Sequence, residues 1–186
     1  MVSSYSTDLK LELMVTGENA GTWGDITNTN LNILQQAIAG YESVALNATT
    51  GATLTFSNGV TSNGKNAVLN LTGTLTSSVN VVIPDGVEKT YTVKNATTGS
   101  YAVSFKTTSG SGATWAAADK GVKLLYSDGT NVTDVNSQLK TISLFTLPTV
   151  DGTSGQAIIT NGTGTLSFGS AGISTGKAIA MAIVFG

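Results

Sequence analysis

Alternating apolar and polar positions dominate the chain from about residue 42 to residue 139. The alternation is clearest around Leu69, Val79, Tyr91, Val103 and Val122, and glycine-containing turns separate these runs. A period of two is typical of strands that bury one face. Roughly seven or eight short strands at about ten-residue spacing, with no helical pattern between them, predict an antiparallel sandwich or a jelly roll.

Two of the turns predict hairpins within this region. Residues 95–100 (NATTGS) separate the alternating runs at Tyr91 and Val103, and we expect them to form a hairpin loop. Ser127, Asp128 and Gly129 interrupt a second pair of runs and indicate another hairpin, because Asp-Gly favours tight turns.

Residues 1–46 carry a different pattern, with a period close to that of a helix. We predict a helix around residues 27–39, capped by Asp25 or Thr27 and closed by Gly40 in a left-handed conformation. Its apolar positions are spaced three, four and three residues apart, at Leu31, Leu34, Ile38 and Tyr41. This spacing gives one narrow apolar stripe, which must pack on the β-domain or on another copy of the chain.

Trp23 lies in a glycine-spaced loop, residues 16–25, immediately before the predicted helix. Two roles are open for this side chain. It packs the helix against the body of the protein, or it docks onto a partner. We therefore place Trp23 with Leu31, Leu34 and Ile38 in a suspected assembly interface.

Residues 140–186 change character again and consist of short apolar runs between glycine turns. The last run places Ile179, Met181, Ile183 and Phe185 in alternation with alanine and valine. A strand here would be apolar on both faces, and such a strand is usually buried on both sides. We expect these four residues to form an intertwined, inter-subunit β segment.

These patterns divide the chain into three segments. Residues 1–46 form an attachment segment with a helix, residues 47–139 a sandwich-like β-domain, and residues 140–186 a glycine-rich β segment. The predicted fold is therefore mainly β, with an antiparallel sandwich or jelly-roll-like domain, and trimeric.

The composition argues against an enzyme. The chain has no His, Cys or Arg, while Thr, Ser, Asn and Gly together supply 85 of its 186 residues. The missing residues are the usual proton carrier near pH 7, the main soft metal ligands and the phosphate clamp. We expect no catalytic, cofactor or metal site, and hence a structural or binding protein.

Charge and hydropathy restrict the partners. Nine lysines are scattered singly along a chain of net charge −2, so no basic face for nucleic acid is expected. The longest apolar run is far shorter than the roughly 20 residues that span a bilayer, so no membrane insertion is expected. We also see no signal peptide and expect synthesis in a cytoplasm without export.

The acidic residues offer two minor alternatives. Asp85 with Glu88, and Asp128 with Asp134, are candidate carboxylate pairs for glycan cleavage. Asp128, Asn131 and Asp134 could also hold a hard cation through oxygen atoms. All of them fall in or beside predicted turns, where Asp usually accepts hydrogen bonds from local backbone amides.

Three stretches of the sequence resemble bacteriophage fibre proteins. Residues 151–170 (DGTSGQAIITNGTGTLSFGS) resemble a recurring glycine-punctuated unit of tail-fibre proteins. Residues 82–135 are similar to a β-domain of fibre proteins of tailed phages, especially marine ones. Residues 13–38 (LMVTGENAGTWGDITNTNLNILQQAI, from Leu13) resemble the start of such proteins. The three stretches cover most of the chain in a consistent order.

The resemblance implies a homotrimeric structural component of a tailed-phage virion, made in the host cytoplasm, in contact with other virion proteins and at most with a host-surface glycan. Such a component would be a tail fibre or a short appendage. Fibres with a receptor-binding tip are usually much longer. The alternatives are therefore a capsid decoration or head-fibre protein, or a carbohydrate- or receptor-binding module.

Overall fold

The computed structural model describes residues 2–138, 141–142, 145–172, 179 and 182–184. It is mainly β, as the sequence predicts, and the chain divides into two compact units, Met1–Ser137 and Gln138–Gly186. The elements are β1 (Ser4–Tyr5), β2 (Glu12–Leu13), α1 (Trp23–Ala39), β3 (Tyr41–Ala45), β4 (Gly51–Thr53), β5 (Val68–Thr72), β6 (Val79–Ile83), β7 (Glu88–Asn95), β8 (Val103–Thr107), β9 (Gly112–Trp115), β10 (Val122–Asp128), β11 (Val132–Asp134), β12 (Thr141–Ile142), β13 (Phe145–Thr146), β14 (Gln156–Thr160) and β15 (Leu166–Ser170), with short 3-10 helices at Asn63–Lys65 and Val135–Gln138.

Two larger sheets form the first unit. Sheet I has the strand order β11-β10-β7-β5-β3, and sheet II has the order β4-β6-β8-β9. From β3 to β8 the chain alternates between the sheets, and each return adds a parallel strand beside the previous one. Each parallel pair is thus joined through the opposite sheet, so this part of the fold is a short β-solenoid.

The repeat of this solenoid is 24 residues. Val68 pairs with Thr92 in sheet I and Val79 with Val103 in sheet II, and both pairs are 24 positions apart (92 − 68 and 103 − 79). The register continues through the turns, where Thr74 and Thr98 form a parallel bridge and their hydroxyl oxygens lie 2.9 Å apart. Equivalent positions therefore stack on one another from coil to coil.

The prediction of antiparallel pairing is wrong for these strands and right for the end of the unit. β9 runs antiparallel to β8, and β10 runs antiparallel to both β7 and β11. The hairpin at Asp128 joins β10 to β11 and is confirmed. Residues 95–100 lead from β7 in sheet I to β8 in sheet II, so the predicted hairpin there is wrong.

The alternating apolar positions of both sheets meet in a single core. Tyr91 and Phe105 face each other with their ring centroids 5.3 Å apart, and Trp115 is fully buried at the antiparallel end. The Trp115 indole N–H donates to the carbonyl oxygen of Gly121 at 3.0 Å, which satisfies its polar atom. The remaining core side chains include Val44, Leu54, Leu69, Leu71, Val79, Val81, Ile83, Val93, Val103, Leu125 and Val132.

The helix begins four residues earlier than predicted and is capped differently. Thr22 is its N-cap residue and makes no side-chain capping bond, while the Thr27 hydroxyl donates to the carbonyl oxygen of Trp23 within the helix. Gly40 ends the helix in an extended conformation (φ −70°), so the left-handed closure is wrong. Glycine is needed there for space, because a Cβ atom would collide with Asn66 and with the Gln36 carbonyl oxygen.

The second unit contains two small antiparallel hairpins, β12 with β13 and β14 with β15. Asn161 shapes the turn of the second hairpin, since its side-chain oxygen accepts hydrogen bonds from the backbone N–H groups of Thr163 and Thr165. The predicted terminal strand is wrong where it is described, because Ile179 and residues 182–184 have helical backbone. Met181 and Phe185 lie outside the described residues.

Candidate interaction surface on the N-terminal helix

One side of α1 is fixed to the body of the first unit. Ile33 is fully buried. The Asn30 side chain makes a reciprocal pair of hydrogen bonds with the backbone of Glu12, at 3.0 and 2.9 Å. The side-chain oxygen of Gln36 accepts the Ser62 N–H at 3.2 Å. These contacts define which face of the helix meets the β-structure.

The predicted apolar stripe lies on the other side of the helix. Leu31 is 57%, Leu34 37% and Ile38 79% exposed, so these residues are not buried within the chain as a stripe packed on the β-domain would be. Ile33 lies about 140–160° around the helix axis from Ile38 and Leu31, at 3.6 residues per turn. The packing contact with the body therefore comes from a position outside the stripe.

Trp23 belongs to the same exposed face. Its side chain is 64% exposed, so it does not pack the helix onto the body, and the first of its two predicted roles is wrong. Trp23, Leu31, Leu34 and Ile38 fall within an arc of about 80° on the helix. We call these four residues the exposed stripe. Tyr41, which shares the sequence spacing, lies in β3 beyond the end of the helix.

The helix that presents this stripe is almost uncharged. Asp25, in the first turn, is the one charged residue between Trp23 and Ala39. Like charges on facing helices repel, and their absence here allows identical stripes to pack together. Covering the exposed fractions of four such side chains would contribute on the order of 4–7 kcal/mol per chain, at about 1.5–3 kcal/mol for each complete burial.

The C-terminal members of the suspected interface are exposed where they are described. Ile179 is 54% and Ile183 is 78% exposed. The β14–β15 hairpin adds Ile158 and Ile159, which are 59% and 45% exposed and point to opposite faces because they are adjacent in a strand. Apolar surface on both faces of a two-stranded hairpin is unfavourable in water, and such hairpins are marginal alone.

The candidate carboxylates serve the local backbone. Asp85 accepts hydrogen bonds from the hydroxyl and the N–H of Ser109, and these bonds lower its pKa. The N–H groups of Asn131 and Thr130 bind Asp128 and lower its pKa in the same way. Neither group is arranged as a general acid, which would need a raised pKa.

Asp134 is committed to an ion pair rather than to a cation site with Asp128. Its carboxylate lies 2.9 Å from the Lys123 ammonium, and this hydrogen bond raises the pKa of Lys123. Among the described residues, no three His, Cys, Asp or Glu side chains come together in a way that could hold a metal ion. The same part of the chain contains no helix with the length and apolarity needed to cross a membrane.

Two lysines have unusual environments. Lys65 is fully buried, and its ammonium donates to the carbonyl oxygens of Ser57 and Val60 at 2.7 and 2.6 Å. Burial, followed by the charge of Lys10, lowers the pKa of Lys65 to about 8. Burial also lowers the pKa of Lys89 to about 8, where its ammonium lies 4.6 Å from the centre of the Tyr91 ring. Both groups are part of the packing of the first unit.

Comparisons of this chain with protein-family models, with curated proteins and with solved structures find no match.

Proposed function

We propose that this chain is a non-enzymatic structural component of a tailed-phage virion and that it forms a homotrimeric tail fibre or short appendage. The observation that carries the proposal is the exposed stripe on a nearly uncharged helix. The resemblance of residues 13–38, 82–135 and 151–170 to phage fibre proteins supplies the virion and the three-fold symmetry.

Self-association explains features of the helix that a monomer does not need. A helix on the surface of a monomer normally shows a polar outer face. Here the outer face carries Trp23, Leu31 and Ile38, each more than half exposed, and its polar residues are amides and hydroxyls. A second and third copy supply the same apolar stripe, so each chain would cover the others.

The second unit supports the same proposal. Its β14–β15 hairpin exposes isoleucine on both faces, and one hairpin has no second layer to cover them. Intertwining with the equivalent hairpins of two other chains would bury both faces and remove open strand edges. Residues 140–186 would then order on assembly.

Assembly is tested by light scattering of the full chain at micromolar concentration. We expect a trimer of about 57 kDa, three times the 18.9 kDa of one chain. Ile38→Lys should place a charge in the stripe and produce monomers. Asn80→Lys, on an exposed position of sheet II, is the matched control and should leave the trimer intact.

A folded wild-type monomer or a dimer would overturn the trimer. So would an Ile38→Lys variant that assembles as well as Asn80→Lys. Circular dichroism of each variant separates loss of assembly from loss of fold. A second pair on the same helix gives an independent check. Ile33→Ala should weaken the fold, because Ile33 is fully buried within the chain, whereas Ile38→Ala should mainly weaken assembly.

The virion assignment needs a separate experiment. An antibody raised against the chain should label purified particles of the encoding phage in electron micrographs. Labelling at the tail supports a tail fibre or appendage, and labelling on the head supports the alternative of a capsid decoration or head fibre. Absence of the chain from purified particles would contradict the proposed function.

A further inference from the structure

A cleft opens beside the C-terminal half of α1, where the helix ends and β3 begins. Its volume is about 290 Å³, and its lining includes Asn32, Gln35, Gln36, Gly40, Tyr41 and Asn66. Binding sites for small molecules start at about 300 Å³, so the cleft has room for roughly one sugar ring. It lies around the helix from the exposed stripe and shares none of its four residues.

Part of the cleft is held in place by bonds to the body. The Asn66 amide N–H₂ donates to the carbonyl oxygen of Asn63 at 3.1 Å, and the Gln36 side-chain oxygen accepts the Ser62 N–H. Gly40 allows the chain to pass close to both side chains, because a Cβ atom there would collide with Asn66. These amides are therefore positioned before any ligand arrives.

Other groups at the cleft have no partner within the described part of the chain. The side-chain amides of Asn32 and Gln35 make no hydrogen bond there. Tyr41 is 62% exposed, so one face of its ring is open to solvent. Each amide offers two N–H donors and an oxygen acceptor, which matches the mixed donor and acceptor character of sugar hydroxyls. An exposed aromatic ring provides an apolar face for C–H groups.

The surroundings disfavour charged ligands. No side chain that lines the cleft is ionised. The C-terminal end of a helix carries partial negative charge, which repels phosphate and carboxylate groups. Without a lining carboxylate, a divalent cation lacks the ligands that it prefers. Neutral, hydroxyl-rich molecules remain.

From this geometry we propose that the cleft binds one sugar unit of a neutral glycan, with Gln35 and Asn32 bonded to its hydroxyl groups and the Tyr41 ring against its C–H face. This inference goes beyond a structural role and does not depend on trimer formation. A trimer that binds no sugar would leave the proposed function intact, and a monomer that binds sugar would leave this inference intact.

Saturation-transfer NMR on the full chain tests binding with four neutral methyl glycosides (glucoside, galactoside, mannoside and N-acetylglucosaminide) and with methyl glucuronide as the charged probe. We expect at least one neutral glycoside to bind with a Kd on the order of 1–10 mM, as is reasonable for a ligand of this size. The glucuronide should bind at least tenfold more weakly than its neutral counterpart.

Variants locate the site. Tyr41→Ala and Gln35→Glu should each weaken binding at least fivefold, since one removes the ring and the other replaces an N–H donor with a carboxylate. Tyr126→Ala, on an exposed tyrosine of β10, is the matched control and should bind normally. Shifts of the Asn32 and Gln35 side-chain amide resonances during titration of the wild-type chain give a readout that needs no variant.

The inference is overturned if no neutral glycoside binds at 20 mM, where a Kd on the order of 1–10 mM would give clear saturation. It is also overturned if glucuronide binds as well as its neutral counterpart, or if neither amide resonance shifts while the sugar binds.

Discussion

Replacing Tyr91 with phenylalanine should make this protein more stable. Tyr91 is fully buried between the two sheets, and its ring packs against Phe105 with a centroid distance of 5.3 Å. The hydroxyl oxygen is also buried and has no hydrogen-bond partner among the described residues. Burial raises the pKa of this phenol, which places it in a poorly polar environment. Tyr91→Phe removes the unsatisfied oxygen and keeps the ring.

The size of the effect follows from two opposing terms. Leaving a buried polar group without a partner costs about 1–3 kcal/mol, and the substitution removes that cost. It also leaves a gap the size of one oxygen atom, for which we subtract up to about 1 kcal/mol. The Lys89 ammonium lies over the ring face and keeps this contact with phenylalanine. We expect a net stabilisation of about 1–2 kcal/mol.

Urea denaturation followed by fluorescence measures this change at a fixed protein concentration. With a slope of about 2 kcal/mol/M, the midpoint should rise by about 0.5–1 M while the slope stays the same. Tyr126→Phe, on an exposed tyrosine, should change the free energy of unfolding by less than about 0.5 kcal/mol. A lower midpoint for Tyr91→Phe would refute the reasoning, because it would mean that the hydroxyl is bonded in the folded protein.

Two further predictions concern charge burial and backbone space. Because burial lowers the pKa of Lys65 and of Lys89 to about 8, the unfolded chain holds more protons than the folded one above that pH, and the free energy of unfolding should rise between about pH 8 and 9.5. We expect a gain on the order of 1–3 kcal/mol in urea titrations at each pH, and a flat profile in a Lys65→Met/Lys89→Met double variant would confirm the source, whereas an unchanged slope would contradict it. Gly51→Ala should lower stability by at least about 3 kcal/mol, since Gly51 has φ +80° and a Cβ atom there would strike the Asn80 carbonyl oxygen. Gly86→Ala, with φ +78° and open space around it, should lose only about 1–2 kcal/mol in thermal unfolding, and equal losses at both glycines would show that the close contact is unimportant.

Local pattern was a good guide to the strands. Period-two alternation placed strands at Leu69, Val79, Tyr91, Val103 and Val122, because a strand that buries one face must alternate. It did not reveal strand direction, since parallel and antiparallel partners can bury the same face. The 24-residue spacing between Val79 and Val103 was a readable signal for stacked coils, and its recurrence at Val68 and Thr92 points to the same repeat.

The sequence by itself determined the mainly β character, the helix before residue 40, the turn at Asp128 and the four apolar positions on one helix face. Each depends on short-range periodicity or on turn chemistry, which neighbouring residues set. Only the tertiary structure decided which helix face meets the body. Ile33 is isolated in the sequence pattern, yet it is the residue that is buried, because the reciprocal bonds between Asn30 and Glu12 orient the helix. The exposed stripe and the amide-lined cleft both follow from that orientation, which depends on contacts between residues far apart in the chain.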